Sequence, residues 1–328
     1  MNVTRLSLLF VLAWNVVYAS PAPLPDWNPG RTRSAIIGFV EAVTEPGGAG
    51  FVPVAKRIAV FDNDGTLWCE QPAYPQLVFG LDRAKALAAR HLEWHSTEPF
   101  KSALADYLGG LVATGVGGLN ELTAGTGAGQ TVEEYAQTVR GWLATAKHPR
   151  FGRPYTRCVY EPMLELLAYL RAHRFETYIV SGGELEFMRP WTEEIYGVPP
   201  ERVIGSTVRT RLEMRNGKPV VVLTPKIDCI DDGAQKVLSI QRVIGRRPIV
   251  AFGNSDGDLP MLEWTASGPG LRLCALVHHT DAKREYAYDR TAAFGRLDKG
   301  LDEAKRQGWV VVDMKNDWKR VFPPRKRL

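Results

Sequence analysis

The 328-residue chain is poor in cysteine, with only Cys69, Cys158, Cys229 and Cys274, and none of them form a C-x-x-C pair. Zinc sites built on paired thiolates need that spacing, so the sequence excludes them. Four cysteines are compatible with two disulfides or with unpaired, partly buried thiols, and a chain of this length does not need bridges to be stable. No internal repeat is present, which excludes a solenoid. The chain also lacks an apolar run long enough for a comfortable membrane span, since the stretch from about Leu6 to Val17 is too short. The last ten residues, "KRVFPPRKRL", contain no acid. Their five cations account for the whole formal charge of +5, and the rest of the chain is about neutral. A neutral body argues against a nucleic-acid or membrane-binding face, and the tail reads as a frayed, solvated terminus. "GTGAGQT" at 125–131 has no lysine before its threonine, so it is not a phosphate loop. The Gly-rich stretch 108–130 around it reads as a flexible connector.

The N-terminus carries one early cation, Arg5, then the apolar stretch, then small residues at Val17-Tyr18-Ala19 before a Pro-rich start. That is the order of a signal peptide over residues 1–19, with a mature protein from Ser20 in the periplasm or outside the cell. No cysteine lies near the cleavage point to take a lipid anchor.

Apolar runs bounded by Gly, Asn or Asp predict strands at Arg57–Phe61, Glu176–Val180, Pro248–Phe252, Leu271–Val277 and Trp309–Asp313. "EPMLELLAYLRAHR" (161–174) and "DDGAQKVLSIQRVIG" (231–245) have helical periodicity, with Gly245 as a C-terminal cap. Alternation of such strands and helices predicts an α/β fold with a parallel sheet. Two stretches break the alternation. Residues 72–150 are helical, with a capping box at Thr131-Val132-Glu133-Glu134, and 203–223 is a hairpin turning at Asn216-Gly217.

Three of the predicted strands end in polar, Gly-containing turns: Asp62-Asn63-Asp64-Gly65-Thr66, Ser181-Gly182-Gly183, and Gly253-Asn254-Ser255-Asp256-Gly257-Asp258. Ligands of open parallel sheets bind at these carboxyl ends. Each part has a physical job if the substrate is a phosphate ester: strand alternation sends Asp62 and Asp64 to one side, where one carboxylate can attack phosphorus and the other can serve as acid and base. Two carboxylates and a phosphate repel one another, and Mg²⁺ offsets that charge. Asn254 and Asp258 can complete a metal site, Ser181 can hold phosphate oxygens with the adjoining backbone N–H groups, and Lys236 can stabilise the transferring group.

The sequences "FDNDGTLW" (61–68), "YIVSGGE" (178–184), Lys236 in "GAQKVLSIQRVIG", and "AFGNSDGDLPML" (251–262) resemble the four signatures of the haloacid dehalogenase-like hydrolase superfamily, in the branch that includes phosphoserine phosphatase. The resemblance implies a Rossmann-like parallel-sheet core with a helical cap inserted after the first core strand. The domains implied are a core of 20–71 and 151–315, a cap of 72–150 and a basic tail of 316–328. It implies Mg²⁺ and a phosphomonoester hydrolase working through an aspartyl-phosphate on a small-molecule substrate. Asp62 would be the nucleophile and Asp64 the general acid/base, with Lys236 completing the catalytic set. Ser181, Gly182 and Thr66 would bind phosphate, and Asp62, Asp64, Asn254 and Asp258 would hold the metal. The chain departs from the family in carrying Asn254 at the first acidic position of the fourth signature. Glu70 is shifted from the position where phosphoserine phosphatases read the substrate amine. Two other readings stay open: a phosphate-ester-binding protein without turnover, motivated by Asn254, and a C–halogen dehalogenase, which Asp64 argues against because halide needs no acid to leave.

Overall fold

Ile58, Ala59, Val60 and Phe61 form strand β1 (Ile58–Phe61) and none is more than 3% exposed. A strand buried on both faces belongs inside a covered parallel sheet, and its side chains must divide between two cores. They do: Ala59 and Phe61 join the larger apolar cluster, Ile58 and Val60 the other. The computed structural model describes residues 23–324. The expected signal segment and the last four residues of the basic tail lie outside these.

Seven further strands are β2 (Glu176–Glu184), β3 (Val203–Arg215), β4 (Lys218–Cys229), β5 (Val250–Gly253), β6 (Leu273–Thr280), β7 (Ala287–Tyr288) and β8 (Val310–Asp313). The sheet runs β4-β3-β2-β1-β5-β6-β7, with β8 also pairing β6. Pairing is parallel from β3 through β2, β1, β5 and β6 to β8, and antiparallel at β4 and β7. The helices are α1 (Arg31–Thr44), α2 (Pro75–Leu87), α3 (Phe100–Leu104), α4 (Leu108–Ala113), α5 (Gly115–Gly127), α6 (Val132–Thr145), α7 (Glu161–Ala172), α8 (Leu185–Tyr196), α9 (Ala234–Ile244), α10 (Leu259–Ala266), α11 (Lys299–Gln307) and α12 (Met314–Asp317). Helices α1 and α7 cover one face of the sheet and α9 and α10 the other. The expected α/β class and mostly parallel sheet are therefore present. Among the described residues no helix is long and apolar enough to cross a membrane.

Three expectations change. The Gly-rich stretch 108–130 is not a flexible connector, since α4 and α5 occupy most of it. Each glycine costs a helix about 1 kcal/mol relative to alanine, and close packing overrides that cost here. A Cβ at Gly125 would stand 2.4 Å from the Phe100 ring, and one at Gly127 would stand 2.9 Å from Tyr135. The hairpin is longer than 203–223, and it docks on the helical segment. Gly129 N donates to Leu223 O (2.9 Å) and Leu223 N to Gln130 O (2.9 Å). Its turn has positive φ at Asn216 and Gly217, as the sequence requires, and the Thr131–Glu134 capping box forms.

The third change concerns the tail, whose first residues pack instead of fraying. Trp318 is fully buried against Trp27 and Tyr160, and Val321 is 3% exposed. Glu161 N donates to Val321 O at 2.8 Å. Two basic neighbours, Lys319 and Arg320, disguised an apolar anchor. All four cysteines are free thiols.

Trp318→Ala should therefore lower unfolding free energy by about 3–5 kcal/mol, the usual result of emptying a buried tryptophan site. Urea denaturation measures this. A loss below about 1 kcal/mol would mean that the tail contributes no packing.

Candidate active site

The carboxyl end of β1 continues into Asp62, whose N–H donates to Phe252 O at 3.0 Å, so the end of β1 is pinned to β5. The chain then turns at Gly65, with φ +71°. Only glycine fits there, because a Cβ would lie 2.0 Å from Asn254 Nδ2 and 2.4 Å from Glu70 Oε1. The turn is closed by Gly65 N to Trp68 O (2.8 Å), and Trp68 Nε1 donates to Asp64 Oδ1 (2.8 Å). From behind, His279 Nε2 donates to the Gly65 carbonyl at 2.8 Å, while its Nδ1 lies 3.2 Å from the buried Glu285 carboxylate.

Lys236 enters from α9 and is 2% exposed. Its Nζ donates to Asp62 Oδ1 (2.7 Å) and Asp258 Oδ1 (2.6 Å). Asp258 Oδ2 accepts from Asn254 N (3.0 Å), Ser255 N (3.1 Å) and Ser255 Oγ (3.2 Å). Asp258, expected among the metal ligands, is thus fully buried with both oxygens occupied, and its local work is to hold Lys236 and the turn after β5.

A pocket of about 280 Å³ opens over these strand ends. Asp62, Asp64, Ser181, Gly182 and Lys236 line it, as does Glu70. Ser181 is buried and accepts from Gly183 N at 3.1 Å; β2 stays extended through Gly183 before α8 begins at Leu185. Thr66 is fully buried and its hydroxyl donates to Asn254 Oδ1 at 3.1 Å, away from the pocket wall. The helical segment closes the far side with Tyr74, Gln76, Leu77, Asn120 and Thr123. Arg296 stands at the rim, carried there by the loop before α11, where Asp256 N donates to Arg296 O at 2.8 Å.

Carboxylates outnumber cations around this pocket: Asp62, Asp64, Glu70, Asp232 and Asp256 face Lys236 and Arg296. The electrostatics follow from that imbalance. Burial and the Asp258 carboxylate push Asp62 up, against the pull of Lys236. Burial lowers the Lys236 ammonium's affinity for its proton, but Asp258 and Asp62 outweigh it and the net shift is upward, so Lys236 stays charged. Burial raises Asp64 to about 6, opposed by the Trp68 hydrogen bond and then by Lys236. Burial also drives Glu70 well up, with Asp64 and Asp62 adding to it and the Tyr288 hydroxyl opposing. At the edge of the pocket, Glu184 Oε2 accepts from Tyr135 Oη (2.9 Å) on α6 and Gln76 Nε2 (3.4 Å) on α2. Burial raises Glu184 to about 7, against the pull of Tyr135.

The four sequence signatures are thus brought to one place. Sequence reasoning missed the ties of Glu184 and the rim position of Arg296. Glu184 was visible as the last letter of "YIVSGGE", but nothing in the sequence announces that its partners come from α2 and α6.

A model of haloacid dehalogenase-like hydrolases matches residues 59–263. A protein of unknown function from Bordetella pertussis Tohama I superposes with a TM-score of 0.51 at 16% identity, covering 79% of this chain and 99% of that one. A conserved, functionally unknown protein from Anaerococcus prevotii DSM 20548 gives 0.52 at 16% identity, covering 85% and 90%. These likenesses concern the fold alone. No curated protein matches the sequence.

Glu184 holds its proton to a higher pH in the folded chain than in the unfolded one. The folded state therefore loses relative stability as pH rises from the ordinary glutamate value to about 7. Glu184→Gln should remove this component, worth about 3 kcal/mol at most. Urea midpoints of both proteins at about pH 5 and pH 8 test it. The variant should gain on the parent at the higher pH, and an unchanged difference would show that Glu184 is ionised throughout.

Proposed function

The chain belongs to the haloacid dehalogenase-like hydrolase family, and we propose that it is a Mg²⁺-dependent phosphomonoesterase that works through an aspartyl-phosphate on Asp62. The observation that carries this reading is the pairing of two unlike carboxyl groups in one pocket. Asp62 is held at 2.7 Å by the Lys236 ammonium, while Asp64 keeps its proton to about 6. The ammonium orients Asp62 as a nucleophile, and Asp64 is poised as an acid.

The donor set fits a hard cation. Lys236 is committed to two carboxylates, and the pocket's remaining acids keep an excess of negative charge. The Asp62 carboxylate, the Asp64 main-chain carbonyl and the Asn254 amide oxygen are the oxygen donors that would hold it. When bound, the ion supplies Lewis-acid stabilisation of negative charge on the phosphate oxygens.

The chain's own residues then divide the chemistry. Asp62 attacks phosphorus as the ester P–O bond breaks, and the Asp64 proton passes to the leaving alkoxide. Asp64, now a carboxylate, takes a proton from water as that water attacks the phosphoryl group, which frees Asp62 and inorganic phosphate. Lys236 keeps Asp62 fixed and offsets the charge that gathers on the transferring group. Ser181 and Gly182 line the side of the pocket where phosphate oxygens would sit. We place Asp258 and Thr66 behind these groups, Asp258 holding Lys236 and Thr66 holding Asn254. Tyr74, Gln76, Asn120 and Thr123 would meet the leaving group of a small-molecule ester and exclude water from it. An acid over the leaving group favours this reading over displacement of halide. Export to the periplasm or beyond remains part of the proposal and rests on residues 1–19 alone.

Phosphate release from an aryl phosphate, with and without Mg²⁺, is the direct test. Asp62→Asn should abolish release by several orders of magnitude, because the covalent step disappears. Asp64→Asn should cost about 10²–10⁴-fold with a poorly leaving alkyl alcohol and less with a nitrophenolate, which needs no proton to depart. Equal losses on both substrates would remove Asp64 from the role of acid, and turnover of the Asp62 variant would remove the nucleophile.

A further inference from the structure

Asn254 is the neutral side chain of the proposed donor set, and its two amide atoms are held in unlike ways. Its Nδ2 donates to Glu70 Oε1 at 2.7 Å, while its Oδ1 lies on the opposite side and accepts from the Thr66 hydroxyl at 3.1 Å. Glu70 is 1% exposed. Its other partner is the Tyr288 hydroxyl, which donates to the same oxygen at 2.8 Å. Both donors are neutral, and neither lysine nor arginine pairs with Glu70 among the described residues. A buried carboxylate without a cation is costly, and more so beside Asp62 and Asp64.

The position of Glu70 is built, not incidental. Two glycines of positive φ close on its Oε1 from either side. A Cβ at Gly65 would stand 2.4 Å from that oxygen, and one at Gly295 would stand 1.7 Å from it. The ring of Tyr288 stacks on His279 (centroids 4.3 Å apart), and His279 holds the Gly65 carbonyl. The glutamate is therefore locked by the same shell that fixes the turn carrying Asp64.

We propose that Glu70 and Asn254 act as one unit of the metal centre: Glu70 holds the Asn254 amide nitrogen, so that the amide oxygen, which keeps a second lone pair beside its Thr66 bond, is the atom left to ligate, and a bound cation would draw from Glu70 the negative charge the amide lacks. This rests on the reading that a divalent cation is held beside Asp62. An aspartate presents the same atom type on both branches and needs no such partner. An asparagine can turn the wrong way, and a carboxylate against Nδ2 forbids that. Such outer carboxylates commonly tune affinity by about 10–100-fold. Glu70 is here a positioning residue.

The test is Mn²⁺ binding by calorimetry and by the EPR signal of free Mn²⁺, with no substrate present. Glu70→Gln should weaken binding about 10–100-fold, because the charge is lost and the amide–amide contact no longer forces one orientation. Asn254→Asp alone should gain less than about threefold, since it sets two carboxylates against each other. The double variant Glu70→Gln/Asn254→Asp exchanges charge and donor, and should return to within about threefold of the parent. Parental affinity in Glu70→Gln, or a double variant as weak as Glu70→Gln, overturns the proposal. If Glu70→Gln fails to fold by circular dichroism, the double variant decides alone: restored binding supports the exchange and weak binding refutes it. Asp62→Asn separates this from the preceding reading. Loss of Mn²⁺ in that variant with no effect of Glu70→Gln leaves the metal centre standing and removes Glu70 from it. A parent protein that binds no Mn²⁺ overturns both.

Discussion

The ammonium of Lys236, shared between Asp62 and Asp258, is the interaction on which the site depends. All three groups are at least nine-tenths buried, and the two contacts are 2.7 and 2.6 Å. Charges this deep are tolerated only when paired, and removing one partner of such a set typically costs about 3–5 kcal/mol. The clamp ties three elements distant in sequence: the end of β1, the start of α9 and the turn after β5. With Asp62 N on Phe252 O, it fixes the strand ends around the pocket to one another. Asp258 keeps its other oxygen on the backbone of Asn254 and Ser255, so the clamp also sets where Asn254 sits. Asp62, its counter-charge and the Asn254 turn are thus parts of one hydrogen-bonded body.

The pocket's other wall follows a different logic. Helices α2 and α5 share a small apolar cluster of their own, with Leu77, Ala84 and Leu122 among its members. Helix α2 also enters the larger core through Phe79, which packs on Phe187 of α8 (5.3 Å), and its Gln76 reaches the buried Glu184, which Tyr135 of α6 holds from another side. Antiparallel β4 docks on the end of α5 through Leu223. The far wall is therefore made by the helical insertion, and the hairpin docks on that insertion without lining the pocket. The residues that would read a leaving group project from the insertion, and the groups that would act on phosphorus come from the strand ends.

The core was legible because a buried parallel strand must be apolar at every position, and "IAVF" and "VAFG" are. The site was legible because the polar turns after β1 and β5 follow such strands directly, whereas the expected turn at Ser181-Gly182-Gly183 proves to be part of β2 itself. Where legibility failed, the reason was tertiary. The glycines of α5 weaken a helix locally, yet they admit Phe100 and Tyr135 at distances no larger residue allows. Trp318 and Val321 were hidden inside a basic tail, because charge is read per residue and burial is not. Glu70 was visible as an acid near the first signature, but its partner Asn254 lies 184 positions away. Asp258 illustrates the converse: its type suits a metal ligand, while its contacts, which no local pattern announces, are to Lys236 and the turn after β5.

The central claim is that Asp62, held by Lys236, becomes covalently phosphorylated. The direct measurement is mass spectrometry of protein quenched in acid during turnover of an aryl phosphate with Mg²⁺, followed by proteolysis. The account predicts one added phosphoryl group, carried by Asp62 in the peptide spanning "IAVFDNDGTLW", absent from the Asp62→Asn protein and labile at alkaline pH as an acyl phosphate is. A phosphoryl group on any other residue, or rapid turnover in which no quenched enzyme ever carries one, would contradict it.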